Sequence, residues 1–110
     1  MITVKKLAEG AGFELCNKAE HPDRDIVSIY CCDLLSAVMG RAPADSAWVT
    51  VMGNVNVVAV SALADTACVI VADGAEVDAR ALESADEHGV FILRSAMPVF
   101  ETAKLAYGLL

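Results

Sequence analysis

Short apolar runs alternate with polar or glycine-containing turns through the second half of the chain. Three of these runs have the length and the Val and Ile content of β-strands, namely Ala47–Val51, Cys68–Val71 and Val90–Leu93. Each run is followed by a turn and then by a segment that suits a helix. Strands that alternate with helices pair in parallel, and their sheet is covered on both faces. The pattern predicts a three-layer α/β fold, with a mostly parallel sheet of four to five strands and helices on both faces.

The first half of the chain extends this pattern. The alternation of Phe13–Cys16 and the apolar run Ile26–Tyr30 predict two further strands. Between them, the charged stretch Asn17–Asp25 contains Pro22, and we expect it to be a solvated loop.

Capping residues and helix breakers mark the ends of the helices. Thr3, Asp33 and Asp78 are candidate N-caps, because their side-chain oxygens can accept hydrogen bonds from the first turn. The predicted helices are Thr3–Gly10, Leu34–Gly40, a helix from Asn54 or Asn56 to Ala64, Ala79–His88 and a last helix that starts near Pro98.

The segment after Val51 has two interpretations. Gly53-Asn54 between two Val-rich runs is typical of a β-hairpin. The alternative is a turn at Gly53 followed by a helix, and the uninterrupted Ser61–Asp65 segment favours it. We therefore predict the helix. Because this helix is apolar on nearly all sides, its outer side would need a second layer or a second subunit.

Composition indicates one domain, residues 1–110, with more apolar surface than one subunit hides. Apolar residues make up 56% of the 110 positions, and the mean hydropathy is +0.53. A typical soluble domain is roughly 45–50% apolar. We expect a partner subunit to cover the surplus, so that the chain is a homodimer. No apolar run reaches the ~20 residues of a membrane helix, and no secretion signal is evident, so we expect a cytoplasmic protein with no membrane partner.

Charge and cysteine spacing exclude further classes. The net charge is −7 and the basic residues are scattered, so a nucleic-acid partner is not expected. No Cys-x-x-Cys pair occurs, and adjacent Cys31 and Cys32 should point to opposite faces of a strand, so no metal site is predicted. We interpret the cysteines as small apolar residues in a reducing compartment, with a redox role as the alternative.

The strand-to-helix turns are the candidate binding site, because the carboxyl ends of parallel strands converge on one rim. Backbone N–H groups at the start of the helix after Gly53 suit a phosphate or carboxylate. Arg94 is the one cation placed at this rim, with a salt bridge to Glu101 or Asp73 as its alternative role. The predicted ligand-binding residues are Asp33, Thr50, Gly53, Asn54, Asn56, Asp73, Gly74 and Arg94.

Each of these residues also has a purely structural interpretation. Asn54 and Asn56 are possible helix caps, and Gly53 is a possible turn residue. Asp33 and Asp73 would repel an anion unless a cation or a sugar hydroxyl lies between. Away from the rim, Arg24 either bridges to an acid across a dimer or holds its own loop.

Enzymatic arrangements are weak in this sequence. Neither His21 nor His88 is placed to activate Cys31 or Cys32 as a nucleophile, and no phosphate-binding Gly-rich loop with Lys-Ser/Thr occurs. We therefore predict no catalytic residues, no metal and no cofactor, and a protein that is not an enzyme.

Several segments together carry a family resemblance over almost the full length. They are Thr3–Leu7, Asp23–Ile26, Cys32–Ser36, Gly53–Leu63, Cys68–Gly74, Glu87–Leu93, and Pro98 with Phe100. In these segments the chain resembles the DRTGG-type domain, a regulatory module found beside CBS domains in some pyrophosphatases, in some phosphate acetyltransferases and as short bacterial proteins. It is also similar to the amino-terminal domain fold of HPr kinase/phosphorylase. Where related domains tend to carry Gly-Asp-Arg, this chain has Gly53-Asn54-Val55.

The resemblance implies an α/β domain that commonly forms dimers and modulates neighbouring proteins without catalysis. We therefore expect a homodimeric regulatory module that senses a nucleotide or a small phosphorylated, anionic metabolite at the rim and acts on a protein partner. The alternative is an interaction and dimerisation adaptor with no small-molecule ligand. Neither the ligand, the partner nor the dimer geometry follows from the residues.

Overall fold

The computed structural model describes all of residues 1–110. Its main sheet has five strands in the order β2-β7-β6-β5-β4, and a separate two-stranded ribbon joins β1 to β3. The strands are β1 Ile2–Thr3, β2 Glu14–Leu15, β3 Asp25–Ile26, β4 Ser28–Cys31, β5 Ser46–Thr50, β6 Cys68–Val71 and β7 Ile92–Arg94. The helices are α1 Val4–Ala11, α2 Leu35–Arg41, α3 Val55–Ala64, α4 Ala79–His88 and α5 Val99–Gly108.

Four strands of the main sheet are parallel, and only the edge strand β2 runs the other way. β4, β5, β6 and β7 pair in parallel, whereas Glu14 of β2 lies antiparallel to Arg94 of β7. Helices α1 and α5 pack on one face of the sheet, and α2, α3 and α4 pack on the other. The predicted three-layer α/β fold is confirmed.

Two helix starts show why the local sequence folds as it does. The Thr3 hydroxyl accepts a hydrogen bond from the Lys6 N–H at 3.1 Å, which begins α1. The Asn54 side chain accepts from the Val57 N–H at 3.2 Å, which begins α3. The segment after Gly53 is therefore a helix, as predicted, and not the second strand of a hairpin.

The two faces of the sheet hold separate apolar cores. Trp48 and Val69 lie in the core beneath α2, α3 and α4, and Val49 and Ile70 lie in the core beneath α1 and α5. Trp48 is fully buried, and its indole N–H donates to the Cys32 carbonyl oxygen at 2.8 Å. The central strands are thus buried on both sides, as expected of parallel strands.

Several predicted boundaries are corrected. The strand predicted at Ile26–Tyr30 is divided between β3 and β4, and β3 pairs with β1, which no apolar run indicated. The predicted strands Phe13–Cys16 and Val90–Leu93 become β2 and β7. The loop that contains Asn17 is partly buried, because the Asn17 amide donates to the Val90 carbonyl and accepts from the Ile92 N–H.

The surplus apolar surface lies only partly where the sequence placed it. Val57, Val58 and Val60 of α3 are buried within the subunit, whereas Leu63 and Val55 of the same helix are 72% and 38% exposed. Two further large side chains are exposed on α5, where Phe100 and Tyr107 are each 71% exposed. No helix is both long enough and apolar enough to span a bilayer.

Candidate functional site

The parallel strands bring their carboxyl ends to one rim of the molecule. In the sheet register, Thr50 of β5 lies beside Val71 of β6, and Val71 lies beside Arg94 of β7. On the other side of β5, Cys31 of β4 lies beside Val49. The turns that carry the predicted ligand-binding residues therefore leave the sheet along this common edge.

Asp33 organises the first part of the rim. Its Oδ1 atom accepts hydrogen bonds from the Thr50 hydroxyl at 2.7 Å and from the Val51 N–H at 3.0 Å. The prediction that Asp33 caps α2 is wrong, because Leu34 occupies the N-cap position and makes no side-chain capping bond. Both hydrogen bonds of Asp33 fall on Oδ1, so the exposed carboxylate retains acceptor capacity at Oδ2.

Gly53 is required by the packing of a neighbouring loop. A Cβ at this position would lie 2.3 Å from the Glu76 carbonyl oxygen and 2.9 Å from the Val77 Cα. The Gly53 carbonyl also accepts a hydrogen bond from the Asp78 N–H at 2.8 Å. We predicted from the sequence that a ligand approaches the backbone closely at Gly53. The structure shows that the backbone of Glu76 and Val77 occupies this position instead.

The first turn of α3 presents its N–H groups at the rim. Asn54 is the N-cap, which agrees with the structural interpretation of this residue, and its side chain is engaged with Val57. The Asn56 side chain is exposed in the first turn of α3 and does not supply the capping bond, which Asn54 makes. Because the positive end of the helix dipole lies here, this turn favours an anion over a cation.

Asp73, Gly74 and Arg94 form the second part of the rim. The Asp73 and Gly74 N–H groups donate to the carbonyl oxygens of Met97 and Ser95, at 2.7 and 2.9 Å. The Arg94 guanidinium donates to the carbonyl oxygens of Ala75 at 2.8 Å and Gly74 at 3.0 Å.

Arg94 therefore anchors a loop, and neither predicted salt bridge forms. The only ion pairs in the structure are His21 with Glu20 and Arg24 with two aspartates, so Arg94 does not pair with Glu101 or Asp73. The loop that starts at Gly74 contacts Arg94 at one end and Gly53 at the other. This loop therefore contacts both parts of the rim and separates them.

A cavity of about 310 Å³ opens beside Arg94. Sequence reasoning missed Glu14 there, because β2 reaches this edge only by pairing antiparallel with β7. No local signal in the short strand β2 indicated that pairing. The cavity is lined by Gly12, Glu14, Gly74, Arg94, Ser95 and Ala96.

The electrostatics of the rim are mixed. Arg94 and the α3 N-terminus supply positive potential, whereas the exposed carboxylates of Glu14, Asp33 and Asp73 oppose a bare anion. Carboxylates accept hydrogen bonds from sugar hydroxyls, so the combination suits a ligand that carries both phosphate and ribose groups.

Arg24 lies at the opposite end of the sheet and has a structural role. Its guanidinium donates to Asp45 Oδ1 at 2.8 Å and to both the carbonyl and the Oδ1 of Asp65, at 2.7 and 2.9 Å. Asp45 and Asp65 have positive φ angles of 62° and 59° at the turns that lead into β5 and β6. Within one subunit, Arg24 thus ties together turns from distant parts of the chain.

The cavity beside Arg24 is a poor anion site. It measures about 260 Å³, and its lining includes the carboxylates of Glu20, Asp86 and Glu87. With the guanidinium already engaged by two aspartates, this lining would repel a phosphate. The rim is the better candidate.

Three of the four cysteines, Cys16, Cys31 and Cys68, lie in surroundings that disfavour the thiolate. Burial, followed by the nearby Glu14 carboxylate, raises the pKa of Cys16 to about 11, and burial raises the pKa of Cys68 to about 12. Burial and Asp33 also raise the pKa of Cys31. A thiol that stays protonated near neutral pH is a poor nucleophile. No group of three or more His, Cys, Asp or Glu side chains could hold a metal ion.

Comparison with known proteins gives a likeness of fold. No family model and no curated protein matches the chain. Among solved structures, the chain is similar to the CBS and DRTGG domains of the regulatory region of Clostridium perfringens pyrophosphatase, complexed with its activator diadenosine tetraphosphate. The TM-score is 0.76 at 10% sequence identity, over 96% of this chain and 46% of that one.

The chain has a DRTGG-like fold. At this identity the match supports the expected architecture, and this chain spans about half the length of the regulatory region that it matches. The matched structure is that of a regulatory region bound to an activator.

Proposed function

We propose that this DRTGG-like domain is a non-catalytic regulatory module that binds a nucleotide or a small phosphorylated metabolite at the rim. In this proposal the domain acts as a homodimer, and ligand binding alters its contacts with a partner protein. The observation that supports the proposal is that the α3 N-terminus and the cavity beside Arg94 both lie at the carboxyl edge of the parallel strands. Of the eight predicted residues, Gly74 and Arg94 line this cavity.

The fold neighbour adds support for a nucleotide. Its regulatory region was crystallised with the activator diadenosine tetraphosphate. We propose that phosphate groups meet the N–H groups of the first turn of α3, while a ribose hydroxyl donates to Asp33 or Asp73. With the phosphate and the ribose bound by different groups, the carboxylates of Asp33 and Asp73 can lie near the phosphate-binding turn without binding the phosphate themselves.

A thermal-shift panel of nucleotides and phosphorylated metabolites, including diadenosine tetraphosphate, tests the proposal. A ligand present at 100 times its Kd stabilises the folded state by ~2.7 kcal/mol. For a domain of this size, that corresponds to a rise in Tm of about 10 °C. No rise with any compound, in a correctly folded sample, would contradict ligand sensing.

Asn56→Asp is the sharpest variant for this test. Asn56 is exposed in the first turn of α3, so the change adds a negative charge to the proposed anion site while complementing the helix dipole. We expect ligand affinity to fall about tenfold or more while the Tm without ligand stays constant or rises. Ala44→Asp adds the same charge in the exposed turn before β5, at the opposite end of the sheet, and should leave affinity unchanged. Equal affinity of the two variants would place the ligand elsewhere.

The second candidate function is a protein-interaction adaptor without a small-molecule ligand. The exposed Phe100 and Tyr107 on α5 favour it, because large apolar side chains that share an exposed surface mark interaction sites. A stable dimer with no response to any compound of the panel would favour this adaptor.

A further inference from the structure

The main sheet has one unprotected edge, at β4. The Cys32 N–H donates to the Val49 carbonyl at 3.2 Å, so this backbone group points toward β5. Because successive residues of a strand direct their backbone groups to opposite sides, those of Ile29 and Cys31 point away from the sheet. β5 is the only strand that pairs with β4.

This edge lacks the features that usually prevent pairing with another chain. The opposite edge strand, β2, is only two residues long and carries Glu14. By contrast, β4 has four residues, Ser-Ile-Tyr-Cys, with no charged side chain and no proline. Short edge strands, edge charges and edge prolines are the common protections against edge-to-edge association.

An apolar groove runs beside the same edge, and we call it the α5–β4 groove. Its volume is about 400 Å³, and Phe100 and Tyr107 on its α5 side are each 71% exposed. On the other side of the sheet, Leu34 after β4 and Met39 of α2 are 65% and 53% exposed. The α5–β4 groove is lined by Ile29, Cys31, Phe100, Ala103, Lys104 and Tyr107.

The exposed area is sufficient for a substantial part of a dimer interface. Aromatic side chains bury roughly 150–250 Å² each, so Phe100 and Tyr107 at 71% exposure together offer roughly 200–350 Å². A standard interface buries ~800 Å² per subunit, so these two residues supply roughly a quarter to two fifths of it. Ile29 and Cys31 of the β4 edge line the same groove and add to this area.

Charge also favours this surface for self-association. The chain carries a net charge of −7, so two copies repel wherever their acidic surfaces meet. The lining of the α5–β4 groove contains no carboxylate, and Lys104 is its only charged residue. A second copy that docks along this groove therefore meets no carboxylate in its lining.

We propose that a second copy of this chain docks on the β4 edge and the α5–β4 groove. The two β4 strands pair antiparallel across a twofold axis, and the sheet continues from one subunit into the other. A twofold arrangement presents the same surface on both subunits, so the donors and acceptors of one edge meet those of its copy. This inference names the surface of the homodimer proposed above and rests on that part of the proposed function.

The first test is light-scattering mass as a function of concentration for Phe100→Glu and Leu63→Glu. The two side chains are matched, since they are 71% and 72% exposed on different helices. We expect Phe100→Glu to raise the dimer dissociation constant about 100-fold or more, since both copies carry the change, and Leu63→Glu to leave it unchanged. A dimer that survives Phe100→Glu, or that dissociates with Leu63→Glu alone, would overturn the assignment of the surface.

The second test addresses the backbone edge. Cys31→Pro removes an N–H that makes no bond within the subunit, and proline is tolerated on free edges. We expect Cys31→Pro to be folded by circular dichroism and monomeric by light scattering, whereas Cys31→Ser stays dimeric. If Cys31→Pro is folded and still dimeric, edge pairing is wrong. If the unmodified protein is monomeric at high concentration, both the docking surface and the homodimer of the proposed function are wrong. The thermal-shift panel tests ligand binding independently of that result.

Discussion

Replacing Gly53 with alanine separates a structural role of this glycine from a ligand-binding role. The new Cβ would lie 2.3 Å from the Glu76 carbonyl oxygen and 2.9 Å from the Val77 Cα. Both neighbours are backbone atoms, so no side-chain rotation relieves the clash. The loop has to move away from the rim, and the 2.8 Å hydrogen bond from the Asp78 N–H to the Gly53 carbonyl is strained or broken.

The expected loss of stability follows from these two contributions. Overpacking costs about 1–3 kcal/mol, and the loss of one backbone hydrogen bond costs about 0.5–1.5 kcal/mol. Together they predict that Gly53→Ala lowers the free energy of unfolding by about 2–4 kcal/mol. At about 4 °C per kcal/mol for a domain of this size, the Tm falls by about 8–16 °C. Thermal and urea unfolding followed by circular dichroism measure both quantities.

Gly40→Ala is the matched control. Gly40 is exposed within α2, and no atom lies within 4 Å of the Cβ position. Alanine in a helix is favoured over glycine by roughly 0.5–1 kcal/mol, so this variant should be as stable as the unmodified protein or more stable. Equal stability of Gly53→Ala and the unmodified protein would refute the argument that the loop requires glycine.

Two further predictions concern stability. Arg24→Ala should lower the free energy of unfolding by about 1–2 kcal/mol, a modest value because Asp45 and Asp65 are partly exposed. Urea unfolding in low salt measures this loss, and an unchanged free energy of unfolding would contradict a stabilising role for the Arg24 ion pairs. For Cys68, burial raises the pKa from 9.0 to about 12, so the unfolded chain loses this proton first as pH rises. Its contribution is fully present below pH 9 and is lost between about pH 9 and 12, by up to ~4 kcal/mol. Unfolding at several alkaline pH values should show a shallower decline for Cys68→Ala, and an identical decline would contradict the burial argument.

The order of the main-sheet strands and of the helices was predictable from short-range patterns, whereas the β1–β3 ribbon was not. Val-rich runs of four or five residues marked β5 and β6, because parallel strands covered on both faces need apolar side chains on both sides. The choice of helix over hairpin after Gly53 was also correct, because Asn54 supplies the capping oxygen that a helix start requires.

The contacts at the rim were less predictable, because they join residues far apart in sequence. Asp33 was placed on the correct edge, but its partner is Thr50, and a cap of α2 was the nearer local choice. Gly53 was recognised as a position of close approach, yet the approaching group is the backbone of Glu76. Arg94 likewise donates to carbonyl groups of a loop, which carry no side-chain signal in the sequence.

The surplus apolar composition was assigned to one element, whereas the structure divides it between two. Helix α3 buries Val57, Val58 and Val60 against its neighbours but leaves Leu63 72% exposed. A second exposed surface lies on α5, where Phe100 and Tyr107 project beside a free sheet edge. Helical periodicity alone could not indicate this, because it does not show which side of a helix faces an edge strand.

Amide chemical shifts during titration with diadenosine tetraphosphate test the central claim most directly. The account predicts saturable shifts in Thr50–Asn56, in Asp73 and Gly74, and at Arg94, with little change at the opposite end of the sheet around Arg24. No saturable shift with diadenosine tetraphosphate, or shifts confined to the surroundings of Arg24, would contradict a nucleotide-sensing rim.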